Sequence, residues 1–223
     1  RADRPMNRPS EAASSSPAHA ATPFDERAAT WDADPAKVTR ALAVAAAIRS
    51  QVPPERAMRV LEYGCGTGLL GFALQPHCGS ITLADSSSGM LATLQGKIAA
   101  SGASNLRALR LDLVSDPLPP ERFDLICSLM TFHHIADTAR LLRDLYTLLD
   151  SPGHLCVADL DAEDGSFHGP GFTGHQGFAR AALAREAQEA GFHDVGFSTV
   201  FHVAKPDSPG QTDFPIFLMI ARK

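Results

Sequence analysis

Residues 62–71 read EYGCGTGLLG. The stretch follows a short apolar run, MRVLEY (58–63), and leads into LLGFALQ (69–75), so it is a glycine turn between a strand and a helix. Its glycines can be phased in two ways. Gly64, Gly66 and Gly68 form G-x-G-x-G, whereas Gly66, Gly68 and Gly71 form G-x-G-x-x-G. In either phase the glycines lie at the carboxyl end of a strand, where open α/β sheets bind their ligands. The phase therefore decides the ligand, and the flanking segments decide the fold.

Upstream, Ala33–Ser50 is Ala-rich with Val38, Leu42, Ala45 and Ile48 near helical spacing, and it stops before Pro53-Pro54. Downstream, ITLAD (81–85) reads as a strand ending in an acid. Serines 86–88 offer N-caps to a helix bearing Met90 or Leu91, Leu94 and Ile98, closed at Ser101-Gly102. Leu109, Leu111 and Leu113 alternate in a third strand that carries Asp112 at its end. FDLICSLM (123–130) has the continuous apolar character of a strand buried on both faces. Asp137 caps a helix with Leu141, Leu145 and Leu148 on one stripe, and HLCVADL (154–160) is a fifth strand. Gly165–Gly177 holds five glycines and one proline, an irregular loop of the kind that carries function. A helix over Phe178–Ala190 precedes VGFSTVFHV (195–203) and DFPIFLMIA (213–221), consecutive strands with no helix between them. The pattern predicts an α/β fold: a Rossmann-like seven-stranded, mostly parallel sheet with an antiparallel last strand and helices on both faces. The glycine turn, Asp85, Asp112 and the end of 123–130 then line one crevice.

Size and composition are consistent with that architecture. The 223 residues suffice for a substantial core, with 44% hydrophobic and 20% charged residues. No apolar run approaches the roughly 18 residues of a membrane span. A net charge of −5 without a Lys/Arg cluster argues against a nucleic-acid groove. Cys65, Cys78, Cys127 and Cys156 show no metal-ligand spacing, and they read as buried reduced thiols of a cytoplasmic protein. Residues 1–22 are rich in Ser, Ala, Pro and Arg and are expected to be a flexible tail, with Met6 a candidate native start and Arg1–Pro5 upstream of it.

Charge decides the phase. The G-x-G-x-x-G register belongs to dinucleotide sites, which hold a pyrophosphate at a helix N-terminus, so an acid beside the glycines is unfavourable there. Glu62 is such an acid, and starting the fingerprint at Gly66 also leaves four residues between the apolar run and the first glycine. S-adenosylmethionine, with an ammonium and a cationic sulfonium, matches a carboxylate followed by close-approach glycines. Asp85, 21 positions after Gly64, is placed to accept from ribose hydroxyls, although a dinucleotide fold uses the same device. Glu62 favours the Gly64-Gly66-Gly68 register and leaves Gly71 as a small residue where a helix packs on the sheet.

VLEYGCGTG (60–68) resembles motif I of the class I S-adenosylmethionine-dependent methyltransferases. ADSSSGML, LRLDL, FDLICSLMTFHHI and LLRDLYTLLDSPGHLCVADL resemble their later motifs in order and spacing, over about residues 58–160. The small-molecule methyltransferases related to the quinone-methylating enzymes are the nearest group. The resemblance implies that Glu62, Tyr63, Gly64, Gly66 and Gly68 hold the methionine moiety and shape the turn. It further implies that Asp85 binds the ribose, that Ser86 and Met90 border the adenine, and that Asp112 accepts from the adenine amine with Leu113 on the ring. The backbone at Leu129 would meet the donor's ammonium, and Phe24 and Trp31 in FDERAATWD would close over the donor. The domain plan is a single methyltransferase domain over 23–223, with an N-terminal lid and helix at 23–52 and a substrate-side loop at 161–178.

The acceptor is expected to be a small molecule with an O, N, S or C nucleophile. Methyl transfer to such a nucleophile needs a base only where it must lose a proton. His133 and His134 after the fourth strand, and His168 and His175 in DGSFHGPGFTGHQGF, are the candidate catalytic groups. Phe167, Phe172 and Phe178 supply aromatic walls. No carboxylate–His spacing supports a metal, so none is expected. SLMTFHH stands where base-methylating enzymes carry a Pro-Pro-aromatic sequence, so neither a nucleic-acid partner nor membrane insertion is expected, and oligomeric state is unread. The alternatives are an NAD(P)-dependent oxidoreductase using Gly66–Gly71 and a non-catalytic donor-binding protein.

Overall fold

The computed structural model describes residues 22–223, so the expected tail and Met6 lie outside the described residues. Helix α1 (Pro35–Gln51) begins where Asp34 accepts from the Ala36 N–H and Pro35 takes the first position. Strand β1 (Arg59–Tyr63) feeds the glycine turn and α2 (Leu69–Leu74), followed by β2 (Ser80–Asp85). The N-cap of α3 (Ser88–Ser101) is Ser87, which accepts from the Met90 N–H, and Gly102 closes the helix in the left-handed region. After β3 (Leu106–Arg110) and β4 (Phe123–Leu129), Asp137 caps α4 (Thr138–Leu148) through the Arg140 N–H. The chain ends with β5 (Leu149–Leu160), α5 (Arg180–Glu189), β6 (His193–Ala204) and β7 (Asp213–Arg222).

The seven strands form one sheet in the order β3-β2-β1-β4-β5-β7-β6. Pairs β1–β2, β1–β4, β2–β3 and β4–β5 are parallel, and β7 runs antiparallel to both β5 and β6. This is the predicted sheet. Strand order reverses at β1, which has β2 on one side and β4 on the other, so the crevice opens at the carboxyl end of β1.

The core is divided by the sheet. Val44, Ile48, Leu70, Leu74, Leu91 and Leu94 of α1–α3 pack with Val60, Leu125 and Cys127 on one face. Leu141, Leu145 and Leu183 of α4–α5 pack with Leu61, Ile126 and Leu155 on the other. Adjacent β1 residues Val60 and Leu61 thus face opposite layers, as pleating requires. All four cysteines are buried and unpaired. No helix among the described residues is long and apolar enough to cross a membrane.

Several element boundaries depart from the sequence reading, among them the start of β5 at Leu149 rather than His154. The third strand ends at Arg110 rather than at Asp112. The alternating leucines continue past it, but Asp112 turns the chain by accepting from the Val114 N–H and the Ser115 hydroxyl. The last helix begins at Arg180, because Phe178 is engaged in a bridge to Asp161.

Candidate active site

The glycine turn has the backbone its sequence demands. Gly64, Gly66 and Gly68 have φ of 71°, 54° and 82°, in the region that disfavours side chains. A Cβ on Gly64 would lie 2.2 Å from Thr131 Oγ1, so the turn also needs a glycine for space. Asp85 locks the turn across strands: its Oδ2 accepts from the Gly66 N–H at 2.7 Å and its Oδ1 from the Ser87 N–H at 2.8 Å. Asp85 is therefore not a free strand-end carboxylate, although each oxygen keeps a lone pair for a further donor. Burial raises its pKa despite those bonds.

Glu62 is 2% exposed beneath this turn. The Gly71 N–H in the first turn of α2 points at its carboxylate, while Oε2 has no hydrogen-bond partner among the described residues. Burial pushes the Glu62 carboxyl up to about 8, and the nearby Asp85 charge adds to the rise. A Cβ on Gly71 would lie 2.2 Å from Leu83 Cδ2 and 2.7 Å from Glu62 Oε2. Gly71 is thus a packing glycine inside α2, and the turn glycines are Gly64, Gly66 and Gly68.

The other donor-side candidates divide into those that face the turn and those that support it. Met90 and Trp31 flank Gly66: Met90 Sδ and Trp31 Nε1 are each 3.9 Å from where its Cβ would be. The Tyr63 hydroxyl accepts from the Leu113 N–H at 3.3 Å, so Tyr63 holds Leu113 in place from within the core. Burial raises the Tyr63 phenol above its ordinary range. The Ser86 carbonyl accepts from Arg110 at 3.5 Å, and Asp112 caps its own turn. The Leu129 carbonyl accepts from the Thr131 hydroxyl at 3.3 Å, which leaves it one free lone pair.

Segment 22–33 crosses the turn and is fastened by two aspartates that sequence reasoning did not single out. Asp25 accepts from the Gly89 N–H at 2.7 Å and from the Ser87 hydroxyl at 2.7 Å, at the start of α3. These bonds hold its carboxyl well below the ordinary carboxylate range. Asp32 accepts from the Thr67 hydroxyl at 2.5 Å and pairs with Lys97 at 2.6 Å. The Lys37 ammonium sits 4.1 Å from the Trp31 ring centroid.

Rings continue from this segment to the histidines. Phe24 lies 6.0 Å from Trp31 and 5.2 Å from His134, centroid to centroid. His134 is 4.1 Å from His133 and 5.4 Å from His168, and His168 stacks on Phe172 at 3.9 Å. Met130, with φ of 57°, bends the end of β4 so that the 3-10 turn Phe132–His134 faces this space. Such left-handed strain at a non-glycine residue costs about 1–3 kcal/mol and persists where surroundings enforce it.

His133 is 1% exposed, and its Nδ1 donates to Asp159 Oδ1 at 2.6 Å, since a carboxylate only accepts. Asp159, fully buried near the end of β5, also accepts from the Leu160 N–H at 2.7 Å. His133 Nε2 has no partner among the described residues. Burial, reinforced by the neighbouring imidazoles, lowers His134 to about 4 and His168 to about 4, so both are neutral at pH 7. His175 lies elsewhere. Its backbone N–H donates to the His133 carbonyl at 2.7 Å, its Nε2 bonds the Ile135 carbonyl at 3.0 Å, and its ring packs on Phe178. Three of the four histidine candidates therefore converge, and the fourth fastens the glycine-rich loop. Asp159 was a third residue that sequence reasoning missed; an acid inside the apolar run HLCVADL was its only signal.

The family described as a methyltransferase domain matches residues 60–153, spanning the glycine turn, Asp85, Asp112 and both clustered histidines of the 3-10 turn. Over those residues the chain matches a methyltransferase domain. An uncharacterised methyltransferase of Schizosaccharomyces pombe is 33% identical over 119 residues, which is 50% of this chain and 42% of that protein. The chain spans less than half the length of that relative and of the mycobacterial methyltransferases it matches (48%). A chain from the complex between the Haloferax volcanii Trm112 methyltransferase activator and its methyltransferase superposes with a TM-score of 0.73. The overlap takes in 92% of this chain and 99% of that one, at 18% identity. An S-adenosylmethionine-dependent methyltransferase from Aquifex aeolicus gives 0.64 over 87% and 97% of the two chains at 20% identity. These distant structures share the fold.

The site suits the donor of this domain. A buried carboxylate oxygen lacking a donor, at Glu62, calls for a cationic partner, and S-adenosylmethionine brings an ammonium. Gly66, flanked by Met90 and Trp31, leaves room for a ligand where any side chain would intrude.

Proposed function

We propose that the protein transfers a methyl group from S-adenosylmethionine to a small-molecule acceptor by in-line displacement. Glu62 takes the donor's ammonium, Asp85 the ribose, and Met90 and Trp31 the faces of the bound donor, with the Gly64-Gly66-Gly68 turn approaching its methionine end. Asp112 and Leu113 border the adenine. The observation that carries the acceptor reading is the run of rings from Trp31 over Gly66, through Phe24, to His134, His168 and Phe172. It supports a reading in which donor and histidines share one wall, beneath the loop that His175 fastens. An open cleft of about 400 Å³ is lined by His168 itself with Phe167, Lys205 and Ser208 among others.

Methyl transfer needs little from the protein besides orientation and exclusion of water, because the sulfonium already activates the carbon. The nucleophile must still present a lone pair. His133, His134 and His168 face the acceptor and serve that purpose, while His175 maintains the loop. A screen of quinols, phenols, thiols and amines, read by S-adenosylhomocysteine formation, is the test. Turnover with members of one acceptor class is expected. Calorimetric binding of NAD(P)H in the absence of any binding of S-adenosylhomocysteine would overturn the reading in favour of an oxidoreductase.

A further inference from the structure

One of the three converging histidines holds an unmet demand. Ligand-competent nitrogens of His133, His134 and His168 all lie within 4.8 Å of one another. Asp159 fixes the His133 tautomer: with Nδ1–H donated to Oδ1, and the His133 backbone N–H directed at Oδ2 at 3.3 Å, Nε2 carries a lone pair into the cluster. That nitrogen is buried and has no partner among the described residues, a state that costs free energy until something satisfies it. His134 and His168 can each present a lone-pair nitrogen to the same point. One cation satisfies all three.

We propose that His133, His134 and His168 form a binding site for one divalent transition-metal ion of the zinc class, with Asp159 orienting His133 and the fourth coordination position open to the acceptor. Imidazole nitrogens suit zinc and its neighbours, whereas calcium and magnesium require oxygen ligands. Three protein ligands with one open position is the pattern of zinc sites that do chemistry rather than hold structure. A carboxylate on the far nitrogen of a ligand histidine is the usual support for such a site. Tetrahedral coordination with bonds of about 2.0–2.1 Å sets the ligand nitrogens about 3.3 Å apart. His168 supplies the closing movement: it is exposed, in a loop where Gly165 and Gly169 have φ of 90° and 79°. The sequence hid the site because its ligands are adjacent at 133–134 and then 34 positions away, on a separate loop.

The site gives the methyl-transfer reading an acceptor class, a thiol or hydroxyl, and in that respect rests on it. Coordination at the open position lowers the pKa of the thiol or hydroxyl, which releases its proton to water. The resulting anion's lone pair forms the new bond to the methyl carbon. The methyl–sulfonium bond breaks, and its electron pair stays on the sulfur of S-adenosylhomocysteine. The thioether or ether product is neutral and a weaker ligand, so it leaves the metal.

The test uses the full chain without added histidines, stripped with a chelator and titrated with Zn²⁺ and Co²⁺. Metal content, competition with a chromophoric chelator and the visible absorption of tetrahedral Co²⁺ are read alongside calorimetric titration with S-adenosylhomocysteine. One zinc per chain is expected. Asp159→Asn, which removes only the orienting charge, weakens zinc by about 10–100-fold; His134→Ala and His168→Ala weaken it by more, and His202→Ala, whose imidazole pairs with Asp213 instead, leaves it unchanged. S-adenosylhomocysteine binding persists in the His168→Ala variant, whose exposed position spares the fold. Substoichiometric zinc, or zinc binding indifferent to His168→Ala, overturns the proposal. Absence of S-adenosylhomocysteine binding by the zinc-loaded wild type instead overturns the donor reading, and the metal result stands apart from it.

Discussion

Glu62→Gln tests whether a buried acid is held against its own stability for the sake of a cationic guest. In the folded protein the carboxyl is pushed from its ordinary 4.5 up to about 8. Between those pH values the folded chain keeps a proton that the unfolded chain has lost, so unfolding releases one. Stability contributed by the protonated form is complete below pH 4.5 and falls as pH rises toward 8. At 1.36 kcal/mol per pH unit the full cost is about 5 kcal/mol, and about 3 kcal/mol is already incurred at pH 7. Urea unfolding of the donor-free protein at pH 5.5 and pH 7.5 reads the slope. His134 and His168, lowered to about 4, contribute the opposite trend below pH 6.5, because they gain protons on unfolding. That trend is common to both proteins and cancels in the comparison. Glu62→Gln has nothing to ionise, so the wild type should lose about 2.5 kcal/mol relative to the variant over this interval.

The donor should reverse the cost. An ammonium beside Glu62 favours the carboxylate, so donor binding at pH 7 expels about 0.9 proton from a group with a pKa of about 8. Calorimetry in two buffers of different ionisation heat measures that number directly. Glu62→Gln should expel none and bind S-adenosylhomocysteine about 10–100-fold more weakly, the worth of a hydrogen bond to a charged group. A variant with the wild-type pH slope, or wild-type binding with no proton release, would refute the assignment.

Two further substitutions probe the segment over the glycine turn and the packing of α2. Asp32→Ala removes the acceptor of the Thr67 hydroxyl and the partner of Lys97, loosening segment 22–33 from the glycine turn. Stopped-flow measurement should find S-adenosylhomocysteine leaving several-fold faster, for a loss of about 1 kcal/mol, with global stability little changed; an unaltered dissociation rate contradicts the fastening role. Gly71→Ala raises helix propensity by about 1 kcal/mol, which stabilises an exposed helix. Here the new Cβ meets Leu83 Cδ2 at 2.2 Å, and Leu83 is fully buried. Overpacking of about 1–3 kcal/mol should win, and a stabilised variant in urea unfolding would show that α2 has room to move.

The glycine turn was readable because its constraint is local: positive φ at Gly64, Gly66 and Gly68 is a property of single residues in sequence. Glu62 was readable for the same reason, as an acid at a strand end that ought to be apolar. The mostly parallel sheet followed from alternation of strands and helices, which is also local in sequence. Misreadings arose where one pattern served two structures. The leucines at 109, 111 and 113 alternate as in a strand, yet Leu111 and Leu113 are buried in the core after the chain has left the sheet. Alternation reports burial and not pairing, so it cannot locate a strand's last hydrogen bond.

The histidines belong to another class of difficulty. His133, His134 and His168 share no periodicity, and what unites them is convergence at the carboxyl ends of β4 and β5, where Asp159 waits inside an apolar strand. A buried acid costs too much to persist without a partner, so Asp159 implied a cation or a donor on a neighbouring element. Its register opposite β4, one position beyond the Leu129–Ala158 pair, aimed it at the turn that carries His133. The part of the site that reads from sequence is the glycine turn with Glu62 and Asp85, which we propose holds the donor. The part that chooses the acceptor is assembled from loops, and there a charge misplaced in an apolar run is the signal to follow.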